Sequence, residues 1–421
     1  MTRHIHIIGA GLAGLSAALQ LALAGEAITL YEAAPFAGGR CRSFHDRDLD
    51  CRIDNGSHLV LSGNVAIQDY LFLTNAMETM GGPGKPIYPF MDLQSGERWT
   101  VKMNEGLIPI WLLDPIRRVA GTKLREYLSL GKMLAPLTLE RVNDVLDTKS
   151  MLYKRFWEPM TIGVLNTEPE IASAALLANV IRQSFAIGGS ACIPLIPKIG
   201  LSETFVDPCL AILQQHGVTL HTNHRLGAIK MVMDKKRPSL RELHFNNGTI
   251  VETAANDWVI FALPAWVVKT IVPNVDLPND FRSIINAHYR IDDIIDPIGL
   301  TGLVGGIAEW VFVRNGVVSA TVSCAERYGT YPVRDMAFYI WKDVAKLFGF
   351  DPEKVPPHRI FKEKFATFAA TPEQECRRPN SYIGWSNLAL AGEWTATGLP
   401  STIEGAIRSG MKAAQTVMRW V

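Results

Sequence analysis

Residues 4–14, reading His-Ile-His-Ile-Ile-Gly-Ala-Gly-Leu-Ala-Gly, constrain this chain more than any other stretch. Ile5, Ile7 and Ile8 make a short β-branched strand, Gly9, Gly11 and Gly14 follow with G-x-G-x-x-G spacing, and alanine and leucine then recur over residues 12–24 as in a packed helix. A strand, turn and helix of this kind bind a dinucleotide. Gly9 permits the tight turn, Gly11 leaves room for a pyrophosphate beside Leu12 and Ala13, and Gly14 lets helix and strand approach, with the helix N-terminus facing the anion. A second strand over residues 27–32 ends in Glu32, 21 positions after Gly11. A carboxylate there can accept both ribose hydroxyls. The plainer reading is a glycine turn in an ordinary β-α unit, with Glu32 a solvated charge.

Length allows two or three domains with ample buried volume. Lys and Arg total 42 against 41 acidic residues, so no global field draws the chain to nucleic acid. Six cysteines (41, 51, 192, 209, 324 and 376) form no C-x-x-C pair, and no cluster has metal-ligand spacing. They read as reduced core thiols of a cytosolic protein. The glycine fingerprint interrupts the apolar start, so no cleavable leader is expected, and no stretch reaches the roughly 18 apolar residues of a membrane span.

Beyond Glu32, Gly38-Gly39-Arg40 offers a second glycine turn and a guanidinium able to reach a pyrophosphate or a ring edge. Residues 50–58 read as a strand running into a loop, in which Gly56 allows close backbone approach to a ring system. Asp54 and His58 are either a turn cap and a surface histidine or groups placed beside that ring. From about Val65 to Pro197 the α/β rhythm lapses. Within that insertion, residues 107–136 set Leu107, Ile108, Ile110, Trp111, Leu112 and Leu113 beside Arg117, Arg118, Lys123, Arg125 and Lys132. Apolar anchors next to clustered cations suit an anionic membrane surface, or else one amphipathic helix packed on the insertion's own core. Trp157, with Tyr153 and Phe156, is a candidate pocket wall.

The rhythm returns at Gly200 with a helix over residues 202–215 and strands over 218–222 and 258–263, which rebuild the first sheet. A second insertion over about residues 273–379 holds Asn315-Gly316 between β-branched runs, the strongest local hairpin signal. The two insertions are expected to share one sheet. The C-terminal stretch carries Gly392-Glu393, then Ser401-Thr402-Ile403-Glu404-Gly405 opening a last helix to Trp420. Backbone N–H groups there suit an electron-rich ring edge, and Glu393 suits a ribityl chain. Glu393 and Glu404 could instead merely cap that helix. The expected fold is therefore α/β, with a discontinuous Rossmann domain (residues 1–64, 198–272 and 380–421) and an inserted mixed-sheet and helical domain (residues 65–197 and 273–379).

The three separated signatures together resemble the flavin-dependent amine oxidase and phytoene desaturase superfamily over nearly the whole length. The resemblance implies a glutathione-reductase-like FAD domain with FAD bound non-covalently, no cysteine lying in the C-terminal motif. Glu393 departs from the aspartate commoner there. Within the superfamily the chain is similar to the squalene-associated branch, the bacterial hydroxysqualene dehydroxylases of hopanoid synthesis. The residues that carry this are Asp54-Asn55-Gly56-Ser57-His58, Trp310-Val311-Phe312 before the hairpin with Ser323 after it, Ala366-Thr367, and Arg378-Pro379.

The branch implies reductive removal of the hydroxyl from a C30 isoprenoid alcohol. An acid must protonate the leaving hydroxyl, with His58 and Asp54 as candidates, and aromatic faces (Trp157, Trp310, Phe312, Trp394) can stabilise an allylic cation. With one dinucleotide fingerprint, electrons are expected from an external donor or reductase. Exposing a thirty-carbon polyene to water costs on the order of 20 kcal/mol, so substrate pick-up is expected at the inner face of the cytoplasmic membrane, by a cytoplasmic enzyme in peripheral contact. Two rivals share the architecture. A carotenoid-type desaturase or amine oxidase would run the flavin in the oxidative direction, and a non-catalytic prenyl-lipid carrier, similar to Rab escort proteins, would need no flavin.

Overall fold

A computed structural model of the protein describes residues 3–135, 137–291 and 299–419. Pro136 and Trp420, at which two of the expected segments end, lie outside the described residues. The strand His4–Ile8 lies at the centre of a five-stranded parallel sheet, ordered Thr219–His221, Ala27–Tyr31, His4–Ile8, Trp258–Phe261 and Leu388–Leu390. These strands come from three separate stretches of sequence. Ile5, Ile7, Leu30, Val259 and Ile260 are fully buried in it, as strands covered on both faces require. Helix Leu12–Leu23 packs on one face against helix Ile403–Arg419, where Ser16 Oγ donates to the Ile407 carbonyl at 2.9 Å.

The first boundary falls later in the chain than expected. Helix Val65–Leu73 buries Ala66, Ile67, Tyr70 and Leu71 in the same core as the five-stranded sheet, so it belongs to the nucleotide half and not to the insertion. Glu404, from the far end of the chain, accepts the N–H groups of Ala66 (3.1 Å) and Ile67 (2.9 Å) and fixes that helix's first turn. Glu404 is thus a cap, for a helix other than its own.

The two insertions build one seven-stranded sheet, ordered His358–Phe368, Phe281–Arg290, Val317–Val322, Trp310–Arg314, Gly299–Val304, Ile87–Asp92 and Arg98–Lys102. Its pairs are antiparallel except Gly299–Val304 with Ile87–Asp92. Asn315 (φ 50°) and Gly316 (φ 74°) turn the hairpin between its two central strands. Alternate residues serve two cores. Ile285, Ala287, Tyr289, Val311 and Val313 meet helix Val333–Phe348, whereas Phe90, Trp99, Leu300 and Phe312 face the helical part of the first insertion.

That helical part contains a π-helical turn, Tyr153–Trp157, running into helix Glu158–Leu165. Pro159 explains it: proline has no N–H to donate back and its ring crowds the carbonyl four residues earlier, so the chain widens by one residue. Ser202–Val206, just before Pro208, repeats the pattern.

Candidate active site

The glycine turn is held shut on one side and open on the other. Gly9 has φ 108°, and a Cβ on it would overlap the Ala262 carbonyl oxygen; one on Gly14 would overlap the Gly9 carbonyl oxygen. Gly11 is different, because a Cβ there meets nothing within 4 Å. Gly11 also begins helix Leu12–Leu23 with no side-chain cap, which leaves the N–H groups of Leu12 and Ala13 without the usual hydroxyl or carboxylate acceptor. A phosphate fits that gap in space and in charge. Glu32, just past its strand, accepts the N–H groups of Ala10 (2.8 Å) and Ala34 (2.9 Å), so its carboxylate is already oriented at the turn.

The second glycine turn lies against the first, Gly38 bridging Gly11 and Gly39 facing the Gly11 Cα. Arg40, read from the sequence as able to reach a pyrophosphate or a ring edge, forms an ion pair with Glu393 at 2.6 Å and donates to the Ala366 carbonyl, so two signatures more than 350 residues apart in sequence are clasped together. Glu393 therefore meets a guanidinium as well as any ribityl hydroxyl. Gly392 donates to Ser409 Oγ (2.9 Å) beneath the Trp394 ring. Thr402 Oγ1 accepts the Gly405 N–H (3.0 Å) where helix Ile403–Arg419 begins, Ser401 Oγ accepts from Phe368 (3.3 Å), and Ile403 is buried.

Asp54, His58 and Phe312 meet in a narrow niche with Arg314 and Ser319, and Gly56 stands against the Asn286 amide. The niche engages both acid candidates in hydrogen bonds. Asp54 accepts from Ser43 Oγ (2.6 Å) and Leu201 N–H (3.0 Å) and faces Arg314 at 2.8 Å, so all three contacts use it as an acceptor. His58 donates Nδ1–H to the Gly56 carbonyl (2.8 Å), and burial pulls its pKa below the usual histidine value against the opposing effect of that bond. Its Nε2 is left as an acceptor.

The four aromatic candidates separate. Trp394 is 2% exposed and donates Nε1–H to the Leu263 carbonyl (2.9 Å); it is core, not a pocket wall. Trp310 packs between Gly163 and Phe90, and Phe312 belongs to the polar niche. Of the four, only Trp157 borders an apolar pocket, which it shares with Trp111, Leu112, Phe156 and Phe185 and which opens to the surface at Leu107 and Pro109. The stretch above that cavity is not one helix. Pro109, Pro115 and Gly121 break it into short turns, Ile110–Leu113 and Leu124–Leu128, before helix Ser129–Met133. Those turns push Leu107, Ile108, Ile110, Leu113, Ile116, Leu124 and Leu128 outward, Ile116 being 82% exposed.

Several residues stayed invisible in the sequence. Glu309 is buried beside Arg327, and burial pushes its carboxyl up to about 7 against the pull of that guanidinium. No local signal marks it. Cys376 is exposed and Cys51 half-buried, so the thiols are not all core. Among the described residues no three His, Cys, Asp or Glu side chains gather at a metal-ligand distance, and no helix is long and apolar enough to cross a membrane.

The sequence profile of flavin-containing amine oxidoreductases matches residues 139–418, and that of an NAD(P)-binding Rossmann-like domain matches residues 7–71. Hydroxysqualene dehydroxylases of Sinorhizobium fredii and Rhodopseudomonas palustris are 39% and 38% identical, each match covering 99% of both chains. The chain belongs to the hydroxysqualene dehydroxylase family. A zeta-carotene desaturase of Synechocystis is a more distant relative at 23% identity, over 98% of this chain and 97% of its own. An oxidoreductase from Methanosarcina mazei shares the fold, with a TM-score of 0.71 at 14% identity over 99% of this chain and 100% of that one. Hydroxysqualene dehydroxylase family membership makes this protein a flavin-dependent oxidoreductase, and the open Gly11 side of the uncapped helix is where the residues fit a flavin dinucleotide.

Proposed function

We propose that this enzyme converts hydroxysqualene, one hydride and one proton into squalene and water. The observation that carries the reading is the match over essentially the full length to hydroxysqualene dehydroxylases. Bound reduced flavin supplies the hydride. The chain supplies the rest: the N–H groups after Gly11 and the Glu32 carboxylate hold the dinucleotide, and the Arg40–Glu393 pair ties the two flavin-facing turns together. The apolar cavity at Trp111, Phe156 and Trp157 excludes water from an allylic cation and offers ring faces to it.

The electron donor is external. Gly188 caps and Gly189 opens a three-residue turn, and Gly302 lies within a strand, so neither supports a second nucleotide turn. Substrate is drawn from the inner face of the cytoplasmic membrane, on which the protein sits as a cytoplasmic, peripheral enzyme. The outward aliphatic side chains of residues 107–128, with exposed Lys123, Arg125 and Lys132 beside them and the cavity beneath, support this.

The test is a product assay: purified flavoprotein, hydroxysqualene and a chemical reductant, with extracted lipids identified by mass spectrometry. Squalene formed only with reductant supports the reading. A more unsaturated product, formed without reductant, would overturn it in favour of a desaturase.

A further inference from the structure

Arg378 lies outside both the polar niche and the apolar pocket, yet its side chain is fully buried. A buried guanidinium is costly unless its donors are met. Most of them are met by one loop. Nε–H donates to the Thr395 carbonyl (2.9 Å), and Nη2 donates to the carbonyls of Glu393 (3.0 Å) and Thr395 (2.5 Å) and to Thr397 Oγ1 (2.7 Å). On the other side Nη1 donates to Glu375 Oε2 (2.5 Å), and the guanidinium carbon stands 4.8 Å from the centroid of the Phe368 ring.

The bracket behind Arg378 is firmly tied. Arg378 follows the short helix Pro372–Cys376, whose first turn is capped by Thr371 Oγ1 accepting the Gln374 N–H (3.3 Å). Gln374 exchanges two side-chain hydrogen bonds with Asn279, accepting its N–H (2.9 Å) and donating to its Oδ1 (3.0 Å), just ahead of strand Phe281–Arg290. The guanidinium therefore reaches from the base of the substrate sheet into the flavin-facing turn that carries Glu393. Glu393 itself is gripped at both ends, its backbone carbonyl by Arg378 and its Oε1 by Arg40 at 2.6 Å. No hydrogen bond holds its Oε2 among the described residues, and with the side chain 12% exposed that oxygen is not walled in.

We propose that Arg378 is a positioning residue for the flavin: by fixing the Glu393 backbone it aims the free carboxylate oxygen at a ribityl hydroxyl of bound FAD. Hydrogen bonds weaken steeply once misaligned, so a displaced loop loses this contact even with its carboxylate intact. A lysine at this position keeps the charge but not the planar fork that meets two carbonyls and a hydroxyl at once. The inference concerns the cofactor and is independent of the substrate.

The test is a double-mutant cycle read by binding of FAD to the apoprotein, followed by quenching of flavin fluorescence with no turnover required. R378K and E393Q should each weaken FAD about tenfold. Because Arg378 acts through Glu393, the double variant should bind FAD within about twofold of E393Q alone. A loss of about a hundredfold in the double variant, the product of the single losses, would overturn the proposal, and so would an R378K protein that binds FAD as the wild type does. Thermal melting of the apoproteins shows whether R378K folds. If it does not, T397V, which releases one loop contact and leaves the guanidinium in place, enters the same cycle, with an expected loss of about threefold that disappears in the E393Q background. A T397V loss that persists there overturns the proposal as well. A wild-type chain that takes up no FAD would defeat the flavin assignment itself; a wild type that binds FAD with additive losses in the cycle would defeat this proposal alone.

Discussion

The turn after Gly9 and the stretch over residues 107–128 both lack, as folded protein, the partners that their surface groups call for, in opposite chemical senses. At the turn the unmet groups are backbone N–H donors at an uncapped helix start, with Gly11 leaving space in front of them. Along residues 107–128 the unmet groups are aliphatic side chains turned into water over an apolar cavity. Each region leaves open the kind of group that its ligand would satisfy, phosphate in one case and hydrocarbon in the other. The difference also sets how tightly each is held. The glycine turn is fixed by backbone contacts that no side chain could replace, whereas the outer stretch is a series of short turns with few buried anchors, Trp111 and Val119 among them.

Within the turn, substitutions at Gly14 and Gly11 should have different consequences. Gly14→Val should abolish flavin binding and soluble folding together, because any Cβ there overlaps the Gly9 carbonyl oxygen. Gly11→Val should lose most of its flavin yet keep its melting temperature within a few degrees, since it fills space reserved for ligand. Flavin absorbance per protein and thermal melting separate the two, and a flavin-replete Gly11→Val would place the pyrophosphate elsewhere.

In the outer stretch, replacing Leu107, Ile108, Leu113 and Ile116 together by Ser should lower partition onto anionic vesicles at least about a hundredfold while melting is unchanged, each side chain giving up about 1 to 2 kcal/mol of burial in lipid. Vesicle flotation reads it. Unchanged flotation would show that these residues do not touch the bilayer.

Acid should weaken both halves. His6 in the nucleotide sheet and His288 in the substrate sheet are buried, and burial lowers each pKa to about 4. A histidine kept neutral in the fold but free to take a proton near pH 6.5 when unfolded contributes its stability in full above pH 6.5. That stability is lost as pH falls towards 4, by up to about 3 kcal/mol per group. Urea midpoints between pH 7 and 4.5 should fall accordingly, and His288→Gln should flatten part of the slope. The smallest effect is ionic: raising salt from 0.1 to 0.5 M should lower vesicle binding only severalfold, because cations supplement the apolar contact without replacing it.

The features legible in the sequence are those whose partners are near in sequence. The Gly9, Gly11, Gly14 and Glu32 spacing lies within one β-α-β unit, and Asn315-Gly316 fixes its hairpin alone. What escaped depends on partners hundreds of residues away. Helix Val65–Leu73 sits in the nucleotide half because Glu404 caps it, and Asp54 is an acceptor that meets Arg314 from the seven-stranded sheet. Trp394 reads as a wall in the sequence, but the Leu263 carbonyl takes its N–H, whereas Trp157 does border the apolar pocket. Composition along residues 107–136 announced apolar groups beside cations but not their conformation, which the prolines set.

In a hydroxysqualene dehydroxylase the flavin works in the reductive direction on an alcohol. The most direct test is a single anaerobic turnover in D2O: reduce the bound flavin with dithionite, remove the excess, add hydroxysqualene, and follow flavin reoxidation together with the mass of the product. A reductive dehydroxylation gives stoichiometric reoxidation and squalene carrying one deuterium. A flavin that stays reduced with hydroxysqualene, while its oxidised form is bleached by a polyene or an amine, would contradict it.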